Sequence, residues 1–354
     1  MVEMKRRQFL CCGLPLLPKV DWFQASEATI LFGGDVCLSS PQRIPSGQNF
    51  EAVLELIRAQ SGNQSMYDYC FSDMASFFES ADLVMVNLES PITESNDRLP
   101  KKFNFKANPD YVNILSQSGI GIVTIANNHI MDFGARGLED TVSLLDEEGI
   151  SYIGADMNLS KARTPIISAV KSYTFGMLAY TSIGPGQVFA AQSSAGAVRL
   201  DENYYVNDIN AIRDSVDFVI VNVHWGHEGT HYPVDYQKMH ARKMVDAGAN
   251  VVIGHHPHVI QGAEKYKDGI IFYSLGNFMF GGNSIRSLRN ITECIVPKVH
   301  FSSSGIRSEL LPVRITSHDL PYHPVEHSEK QRLLDFYKKL SGQGANEILE
   351  PIVG

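Results

Sequence analysis

The chain has 354 residues, and 30 lysines and arginines against 39 aspartates and glutamates give it a formal net charge of −9. Its composition, 44% hydrophobic and 19% charged, excludes a disordered chain and a disulfide-knotted miniprotein. The acidic balance argues against a nucleic-acid-binding protein, and no apolar run approaches the roughly 20 residues that span a bilayer, which excludes a multi-pass membrane protein.

The chain opens with a basic and apolar segment. Residues 5–7 are Lys-Arg-Arg, residues 9–17 are mainly apolar, and small residues follow near Ala25 and Ala28. A charged start, a short apolar stretch and small residues at its exit are typical of a secretory signal, and the arginine pair resembles a twin-arginine export signal. We therefore predict that residues 1–28 are a signal or targeting segment and that the protein is exported to the periplasm or cell envelope. Because prolines break the apolar stretch, a cytoplasmic protein with an inert extension stays open as the alternative.

The body of the chain alternates between short apolar runs and amphipathic segments. Continuous apolar and β-branched runs are typical of strands buried on both faces, and apolar residues near a 3.6-residue spacing predict helices. Alternation of the two predicts a layered α/β core in which helices cover a sheet. The predicted strands are residues 29–32, 83–86, 122–125, 218–223, 251–253 and 270–273, with a strand pair over 164–180 that turns at Lys171, and the predicted helices are 109–117, 137–148 and 234–247.

The pattern changes after Gly282. Two further strands, residues 291–301 and 306–316, precede a polar helix over residues 328–340. We predict that residues 29–282 form the main domain and that residues 283–354 are a C-terminal strand and helix elaboration packed on it.

Residues of the kind that bind metals follow five of the predicted strands. In open α/β sheets ligands bind at the carboxyl ends of the strands, so loops that are distant in sequence can converge there. Carboxylates can bridge two divalent ions while an asparagine oxygen and neutral imidazoles complete each shell, and two ions ~3.5–4 Å apart would clamp a phosphate. The residues concerned are Asp35, Glu89, Asn127-Asn128-His129, His224 with His227 and Glu228, and His255-His256-Pro257-His258.

Each of these residues alone has an ordinary structural explanation. An aspartate at a strand end, such as Asp35, commonly caps a turn or a helix. Asn127 and Asn128 are also typical turn residues, and His224 on an apolar strand is typical of a hydrogen-bonded core histidine. Their joint placement after consecutive predicted strands favours a metal site.

Six motifs in this order also carry a family resemblance. They are Gly34-Asp35, Asn87-Leu88-Glu89, Ala126-Asn127-Asn128-His129 with Asp132 and Gly134, His224-Trp225-Gly226 with Glu228, Gly254-His255-His256-Pro257-His258-Val259, and Ser274-Leu275-Gly276-Asn277-Phe278. The ordered set, which spans residues 29–280, resembles the CapA family of capsule and poly-γ-glutamate biosynthesis proteins within the calcineurin-like metallophosphoesterase superfamily. The resemblance implies a four-layer metallophosphatase-like sandwich, in which two mixed β-sheets are flanked by helices and the metals lie at the strand ends.

The resemblance further implies two divalent metal ions, which the mixed ligands leave open as Mn, Fe, Zn or Mg. It assigns Asp35 and His258 to one ion, with Glu89 bridging to the other. The second ion would be held by Asn128, His224 and His256.

Other residues receive roles outside the metal shell. His129 is the implied general acid, and Asp132 is expected to orient it or to cap the following helix. Glu228 and Asn277 are expected to line the pocket. His255 falls where the family tolerates small residues, so we expect it outside the ligand set.

One position departs from ordinary calcineurin-like phosphatases. They carry a ligating histidine two residues after the first aspartate, where this chain has Cys37. CapA-like proteins commonly lack that histidine, so the departure supports the resemblance and also predicts one site with fewer protein ligands. Cys37 is interpreted as a small buried residue, with a thiolate ligand as the alternative.

Two classes of function remain open at this point. The first is a metal-dependent, phosphoesterase-like hydrolase that acts on an anionic cell-envelope polymer or a phosphoester. The second is a catalytically inert component of a capsule synthesis and export complex at the membrane, which binds polymer or a partner. Retention of His129 together with nearly all ligands favours chemistry. Lys106, Arg136 and His231 are candidate anion contacts, although each is more simply explained as a surface residue.

Overall fold

A computed structural model describes residues 27–40, 49–60, 62, 65–280, 292–315, 320–322, 326–342 and 349–351. Apart from Glu27 and Ala28, the predicted signal segment lies outside these ranges. The elements, in chain order, are β1 (Ala28–Cys37), α1 (Phe50–Gln60), α2 (Met66–Tyr69), α3 (Ala75–Glu79), β2 (Leu83–Leu88), α4 (Val112–Gln117), β3 (Ile122–Thr124), α5 (Gly134–Glu147), β4 (Ser151–Ile153), β5 (Ala155–Asp156), α6 (Leu159–Ala162), β6 (Ile166–Val170), β7 (Tyr173–Thr181), β8 (Gly196–Ala197), α7 (Glu202–Ile212), β9 (Phe218–His224), α8 (Asp235–Ala247), β10 (Val251–His255), β11 (Ile260–Tyr266), β12 (Gly269–Leu275), β13 (Asn277–Phe280), β14 (Glu293–Ser302), β15 (Gly305–Ile315), β16 (Pro321–Tyr322), α9 (His327–Ser341) and β17 (Leu349–Pro351).

Two mixed sheets contain most of the strands. The larger has the order β16-β15-β14-β1-β2-β3-β4, with β13 pairing β1 and β17 pairing β15, and the smaller has the order β11-β12-β10-β9-β7-β6. Strands β1 to β4 run parallel to one another, as do β7, β9, β10 and β12. The carboxyl ends of the parallel strands within each sheet therefore share one edge.

Side chains of the smaller sheet alternate between two cores. Ile220 of β9 and Ile253 of β10 belong to the core shared with the larger sheet, whereas their neighbours Val221 and Val252 belong to the core beneath α7 and α8. This alternation follows from the two-residue period of a strand and explains why both strands read as continuous apolar runs. Both faces of this sheet are thus covered.

Aromatic rings join the layers. Phe301 of β14 lies between the sheets, with its ring centroid 4.9 Å from that of Phe175 and 5.0 Å from that of Phe218. On the other face of the larger sheet, Phe71 and Phe78 pack against Phe278 at centroid distances of 5.3 and 6.1 Å. The molecule therefore has four layers, two mixed β-sheets flanked by helices, which confirms the predicted fold class.

The predicted elements agree with the structure in type, and their ends differ. Each of the predicted strands up to residue 273 overlaps an observed one, and Lys171 forms the turn between β6 and β7 with a φ of 52°. The predicted helix over 109–117 is a 3₁₀ turn (Pro109–Tyr111) that continues into α4. The largest difference is in β1, which extends to Cys37 because β13 pairs with its last residues, so Asp35 lies within the strand and not after it.

The chain after residue 292 contributes β14 and β15 to the larger sheet. β14 pairs antiparallel with the first half of β1, and β15 pairs along the whole of β14. α9 packs against β11 and β15 and buries Leu333, Leu334 and Tyr337. Within the described residues, no helix combines the length and the apolar character required to cross a membrane.

Candidate metal centre

Buried polar side chains meet where the carboxyl ends of β1, β2, β9 and β10 approach one another. The structure contains three groups of side chains that could each hold a metal ion. Within each group the potential metal-binding atoms lie within 4.8 Å of one another, and Glu89 belongs to two of the groups. These two groups contain the carboxylates and imidazoles that the family resemblance assigns to the two ions. The three groups are Asp35, Glu89 and His258; Glu89, His224 and His256; and Glu228, His256 and His258.

Asp35 is held on both carboxylate oxygens. Asn87 Nδ2 donates to Oδ1 at 2.8 Å, and the backbone N–H of His256 donates to Oδ2 at 3.2 Å. Nδ1 of His255 lies 3.3 Å from Oδ1, and Nδ1 of His258 lies 3.4 Å from Oδ2. Burial alone would raise the pKa of Asp35, but the contacts with His255 and His258 hold it well below its ordinary value. Asp35 is therefore a carboxylate, the form that binds a metal.

The glycine before Asp35 has a packing reason. A Cβ at Gly34 would lie 2.0 Å from the carbonyl oxygen of Gly276, which accepts a hydrogen bond from the Asp35 N–H at 3.0 Å. Any side chain at position 34 would push β1 away from the segment that leads into β13. The Gly34-Asp35 pair thus reflects a close approach of two backbones beside the site.

Glu89 provides the observation that tests whether metals fit. Its side chain is fully buried, and neither carboxylate oxygen has a hydrogen-bond partner in the part of the chain that the structure describes. Burial, and then the charge of Asp35, raise the pKa of Glu89 well above its ordinary value. A buried carboxyl with no partner costs several kcal/mol, of order 1–3 for the unmade hydrogen bonds alone. A divalent ion in each of the two groups that contain Glu89 would supply the partners that its carboxylate oxygens lack. These side chains therefore fit a centre of two metal ions.

His224 and Asn128 meet on the other side of Glu89. His224 Nε2 lies 2.8 Å from Asn128 Oδ1 and 3.6 Å from Glu89 Oε1. Burial, with a contribution from neighbouring His256, lowers the pKa of His224 well below its ordinary value. The ring is therefore neutral, which is the form that ligates metals.

His256 and His258 differ in their electrostatics. Burial lowers the pKa of His256 to about 3, with a further contribution from His258. Burial also disfavours protonation of His258, but Glu89 and Asp35 outweigh it and raise its pKa to about 10. Without a metal its ring is therefore protonated, and an ion bound at this histidine would have to displace that proton. Asn277 Oδ1 lies 2.9 Å from Nδ1 of His258. The other ring nitrogen of His258, Nε2, lies 3.7 Å from Glu89 Oε1.

The backbone of this histidine loop is unusual. His256 has a φ of 95° and His258 a φ of 57°, both in the left-handed region that favours glycine. Such conformations cost about 1–3 kcal/mol each and persist where the surroundings over-determine them. Here two contacts hold the loop in this conformation: the hydrogen bond from the His256 N–H to Asp35 and the contact of His258 with Asn277. The strained backbone is the conformation that places both imidazoles in the site.

His129 lies beside the metal centre on a separate support. Asn127 Oδ1 accepts the backbone N–H of His129 at 3.1 Å, and Nδ1 of His129 lies 2.8 Å from Asp132 Oδ2. Asp132 also accepts the N–H of Phe105 at 2.7 Å, and the Phe105 ring packs against the imidazole in a T-shaped arrangement. Burial lowers the pKa of His129, although Asp132 opposes the shift. Asp132 thus engages Nδ1, and Nε2 is the ring nitrogen of His129 that a substrate could reach.

One cation at the site was not expected from the sequence. Lys101 forms an ion pair with Asp132, and its Nζ lies 2.7 Å from the carbonyl oxygen of Asn128 and 3.2 Å from His129 Nδ1. Lys101 comes from the long connection between β2 and α4, whose course no periodicity reveals. Asn87, quoted only as part of its motif, is a second neighbour that was missed. His255, which we expected outside the ligand set, lies beside Asp35 and belongs to none of the three groups.

The basic residues considered as anion contacts are engaged elsewhere. Arg136 lies 2.7 Å from Asp140 on its own helix, and Lys106 donates to the Ser95 carbonyl oxygen at 3.0 Å. His231 Nδ1 lies 2.8 Å from the carbonyl oxygen of Ile260. These contacts agree with the simpler interpretation of all three as structural or surface residues.

Cys37 is buried among apolar side chains. It packs in a small cluster with Phe105, Phe280 and Ile315, and its Sγ lies 3.5 Å from the carbonyl oxygen of Ser39. Burial, and then the charge of Glu89, raise the pKa of the thiol above its ordinary value. A neutral thiol in this setting favours the apolar interpretation over a thiolate ligand.

The chain is similar to bacterial capsule synthesis proteins over most of its length. Residues 29–282 match the model of the family described as bacterial capsule synthesis protein PGA_cap. The PGA biosynthesis protein CapA of Bacillus subtilis is 30% identical over 332 residues, which cover 92% of this chain and 81% of that protein. The capsule biosynthesis protein CapA of Bacillus anthracis is 32% identical over 302 residues, which cover 78% of this chain and 70% of that protein.

Similar solved structures are more distant. The Haemophilus influenzae NAD nucleotidase has a TM-score of 0.43 at 12% identity, with 92% of this chain and 57% of that chain covered. The Candida albicans 5'-nucleotidase has a TM-score of 0.42 at 10% identity, with 88% and 58% covered. This chain therefore spans little more than half of each.

Proposed function

The chain belongs to the PGA_cap family of bacterial capsule synthesis proteins, and we propose from that membership that it serves the synthesis of a capsule or poly-γ-glutamate polymer. We propose that it does so as a metal-dependent, phosphoesterase-like hydrolase acting on an anionic cell-envelope polymer or a phosphoester. The relatives' names support the process, and the arrangement of side chains at the strand ends supports the chemistry.

The single observation that carries the proposal is the position of Glu89. This buried carboxylate, without a hydrogen-bond partner in the described ranges, lies between a group containing Asp35 and a group containing His224. A purely structural role would leave its desolvation without compensation, whereas a bridge between two cations compensates it.

Two divalent ions, Mn, Fe, Zn or Mg, would be held by the residues of these two groups together with Asn128. When bound, they would supply positive charge that polarises an oxygen of the substrate and orients the scissile bond. Asp35, Glu89 and His258 would hold one ion, and Glu89, Asn128, His224 and His256 the other.

The protein's own acid would be His129. Its Nδ1 is engaged by Asp132, so the proton destined for a leaving oxygen would be carried on Nε2. The lowered pKa of His129 makes its doubly protonated ring a stronger acid, and it also makes that form less populated at neutral pH. Asp132 and the packed ring of Phe105 would keep that nitrogen aimed at the substrate.

Elemental analysis of the purified protein tests the metal centre. We expect close to two divalent ions per chain after reconstitution, and loss of both in the variant H256A/H258A. H240A is the matched control, because His240 lies on α8 and its Nδ1 contacts the hydroxyl of Tyr205 at 3.0 Å. Absence of metal from the reconstituted wild-type protein would refute the proposed centre.

Catalysis is tested separately with a generic phosphodiester and with the envelope polymer. H129A should abolish hydrolysis of either substrate while its metal content stays at the wild-type level. Full capsule-related function in this variant would instead support the inert alternative, a polymer-binding or assembly component of a capsule synthesis complex. Cys37, at the position of a histidine ligand in ordinary phosphatases, is the residue that favours this second function.

We also propose that the protein is exported, with residues 1–28 acting as a twin-arginine-like signal, and that it works beside a membrane-bound capsule synthesis complex. The basic pair and the apolar stretch that follows it support export. Replacing both arginines by lysine in the full chain should retain the protein in the cytoplasm. Recovery of this variant from the cell envelope would contradict the proposal.

A further inference from the structure

Glu228 lies in the turn that follows β9, and the backbone fixes this turn against the histidine loop. The N–H of Trp225 donates to the carbonyl oxygen of His255 at 3.0 Å, and the N–H of Gly229 donates to that of Pro257 at 2.8 Å. Gly226 and Gly229 have φ values of 91° and 72°, which lets the chain reverse tightly on either side of Glu228. Hydrogen bonds therefore fix the backbone at Glu228 relative to the histidine loop.

The carboxylate of Glu228 lies close to two histidines of the metal centre. Its oxygen lies within 4.8 Å of ring nitrogens of both His256 and His258, and these two histidines belong to different metal-binding groups. Glu228 is exposed whereas Glu89 is fully buried. Two carboxylates thus lie close to the same pair of imidazoles, one fully buried and the other exposed.

A second observation points to a ligand at this place. His256 is 5% exposed, and its Nδ1 has no hydrogen-bond partner among the residues that the structure describes. Two divalent ions carry four positive charges, and Asp35 and Glu89 offset only two of them.

We propose that Glu228 is a ligand of the metal centre, contributed by the exposed turn after β9, and that it adds a third carboxylate to those of Asp35 and Glu89. This inference rests on the proposed metal centre and extends it to a residue outside the sets implied for the two ions. A carboxylate in this position lowers the net charge of the loaded centre and completes the coordination of an ion that the interior residues hold incompletely.

Substitution E228Q tests the ligand, since it removes the charge and keeps the shape. The matched control is D214N, because the side chain of Asp214 is 90% exposed and Asp214 precedes β9, whereas Glu228 follows it. Titration calorimetry with Mn²⁺ should show at least a tenfold loss of affinity for one ion in E228Q and no change in D214N. The visible absorption spectrum of the Co²⁺-loaded protein should also change in E228Q, because that spectrum reports the ligands themselves and not distant charge.

The outcomes separate this inference from the proposed function. Two ions in the wild-type protein with an identical Co²⁺ spectrum in E228Q would overturn the role of Glu228, whatever the change in affinity, and leave the dinuclear centre intact. Failure of the wild-type protein to bind any ion would overturn both. Equal thermal unfolding of metal-free E228Q and wild-type protein shows that the variant is folded.

Discussion

Asp35 and Asn277 lie opposite each other in the parallel pairing of β1 with β13, and Asn277 Oδ1 lies 2.9 Å from Nδ1 of His258. Asn277 thus connects the first aspartate of the site with a histidine from the other sheet. A second residue that fixes the ring nitrogen of a metal-binding histidine sets both the tautomer and the orientation of the ring.

Replacement of Asn277 by alanine is therefore expected to weaken metal binding without removing a ligand. Residues that orient metal ligands contribute roughly 10–100-fold to affinity, so N277A should lose about that much for one ion in titration calorimetry. N203A, at the exposed start of α7, is the control and should bind both ions as the wild type does. A change of less than twofold in N277A would mean that His258 needs no such support.

The ion pair between Lys101 and Asp132 is a second feature open to measurement. Asp132 is fully buried and Lys101 is 16% exposed, so removal of either partner leaves a poorly solvated charge. Loss of one member of such a pair costs about 3–5 kcal/mol, and we expect K101M and D132N each to lower the free energy of unfolding by roughly 3 kcal/mol. The measurement is urea denaturation of the metal-free protein.

The double variant K101M/D132N supplies the control for this prediction. If the two charges stabilise each other, the loss in the double variant is smaller than the sum of the two single losses by about 1–3 kcal/mol. Strict additivity would show that Lys101 and Asp132 act independently and that Lys101 does not hold the support of His129 in place.

Part of this architecture could be predicted from the sequence because it is local. The runs that became β9 and β10 are apolar on both faces, and α5 repeats near 3.6 residues, so their type follows from periodicity. Polar residues at the ends of such strands predicted the site, because parallel strands share an edge. This rule and the order of the motifs led to the six residues predicted to bind metal, and the structure brings five of them together: Asp35, Glu89, His224, His256 and His258.

The remainder depends on contacts between distant segments. β13 pairs with β1 across some 240 positions of sequence, and nothing in its four residues shows that it extends β1 as far as Cys37. Lys101 reaches Asp132 only through the course of the connection between β2 and α4. β11 was not predicted, because it is the edge strand of the smaller sheet and its second half contains polar residues. Its sequence therefore lacks the continuous apolar run that identified the other strands.

The core between the two sheets should depend strongly on Phe301. Its ring is fully buried and contacts Phe175 and Phe218 of the opposite sheet. Truncation of a buried phenylalanine costs about 3–5 kcal/mol through lost burial and the cavity that remains. We expect F301A to lose this much in urea denaturation, while L56A, at a side chain that is 51% exposed, stays within about 0.5 kcal/mol of wild type. A loss below 1 kcal/mol in F301A would mean that the two sheets do not pack through this ring.

Asp82 provides a test that depends on pH. Its Oδ2 accepts the N–H and the hydroxyl of Thr29, both at 2.8 Å, and lies 2.9 Å from Lys171 Nζ. Burial would raise the pKa of Asp82, but these partners lower it, so the folded state binds the proton less readily than the unfolded chain. The stabilisation is therefore fully present above the unfolded pKa of about 4 and is lost as the pH falls through the lower folded value. At pH 7, D82N should lose about 1 kcal/mol of unfolding free energy, a value reduced by its partial exposure, and the difference from wild type should shrink below about pH 4. D214N should show no difference at either pH, and a D82N deficit that stayed constant down to pH 3 would contradict this role for the carboxylate.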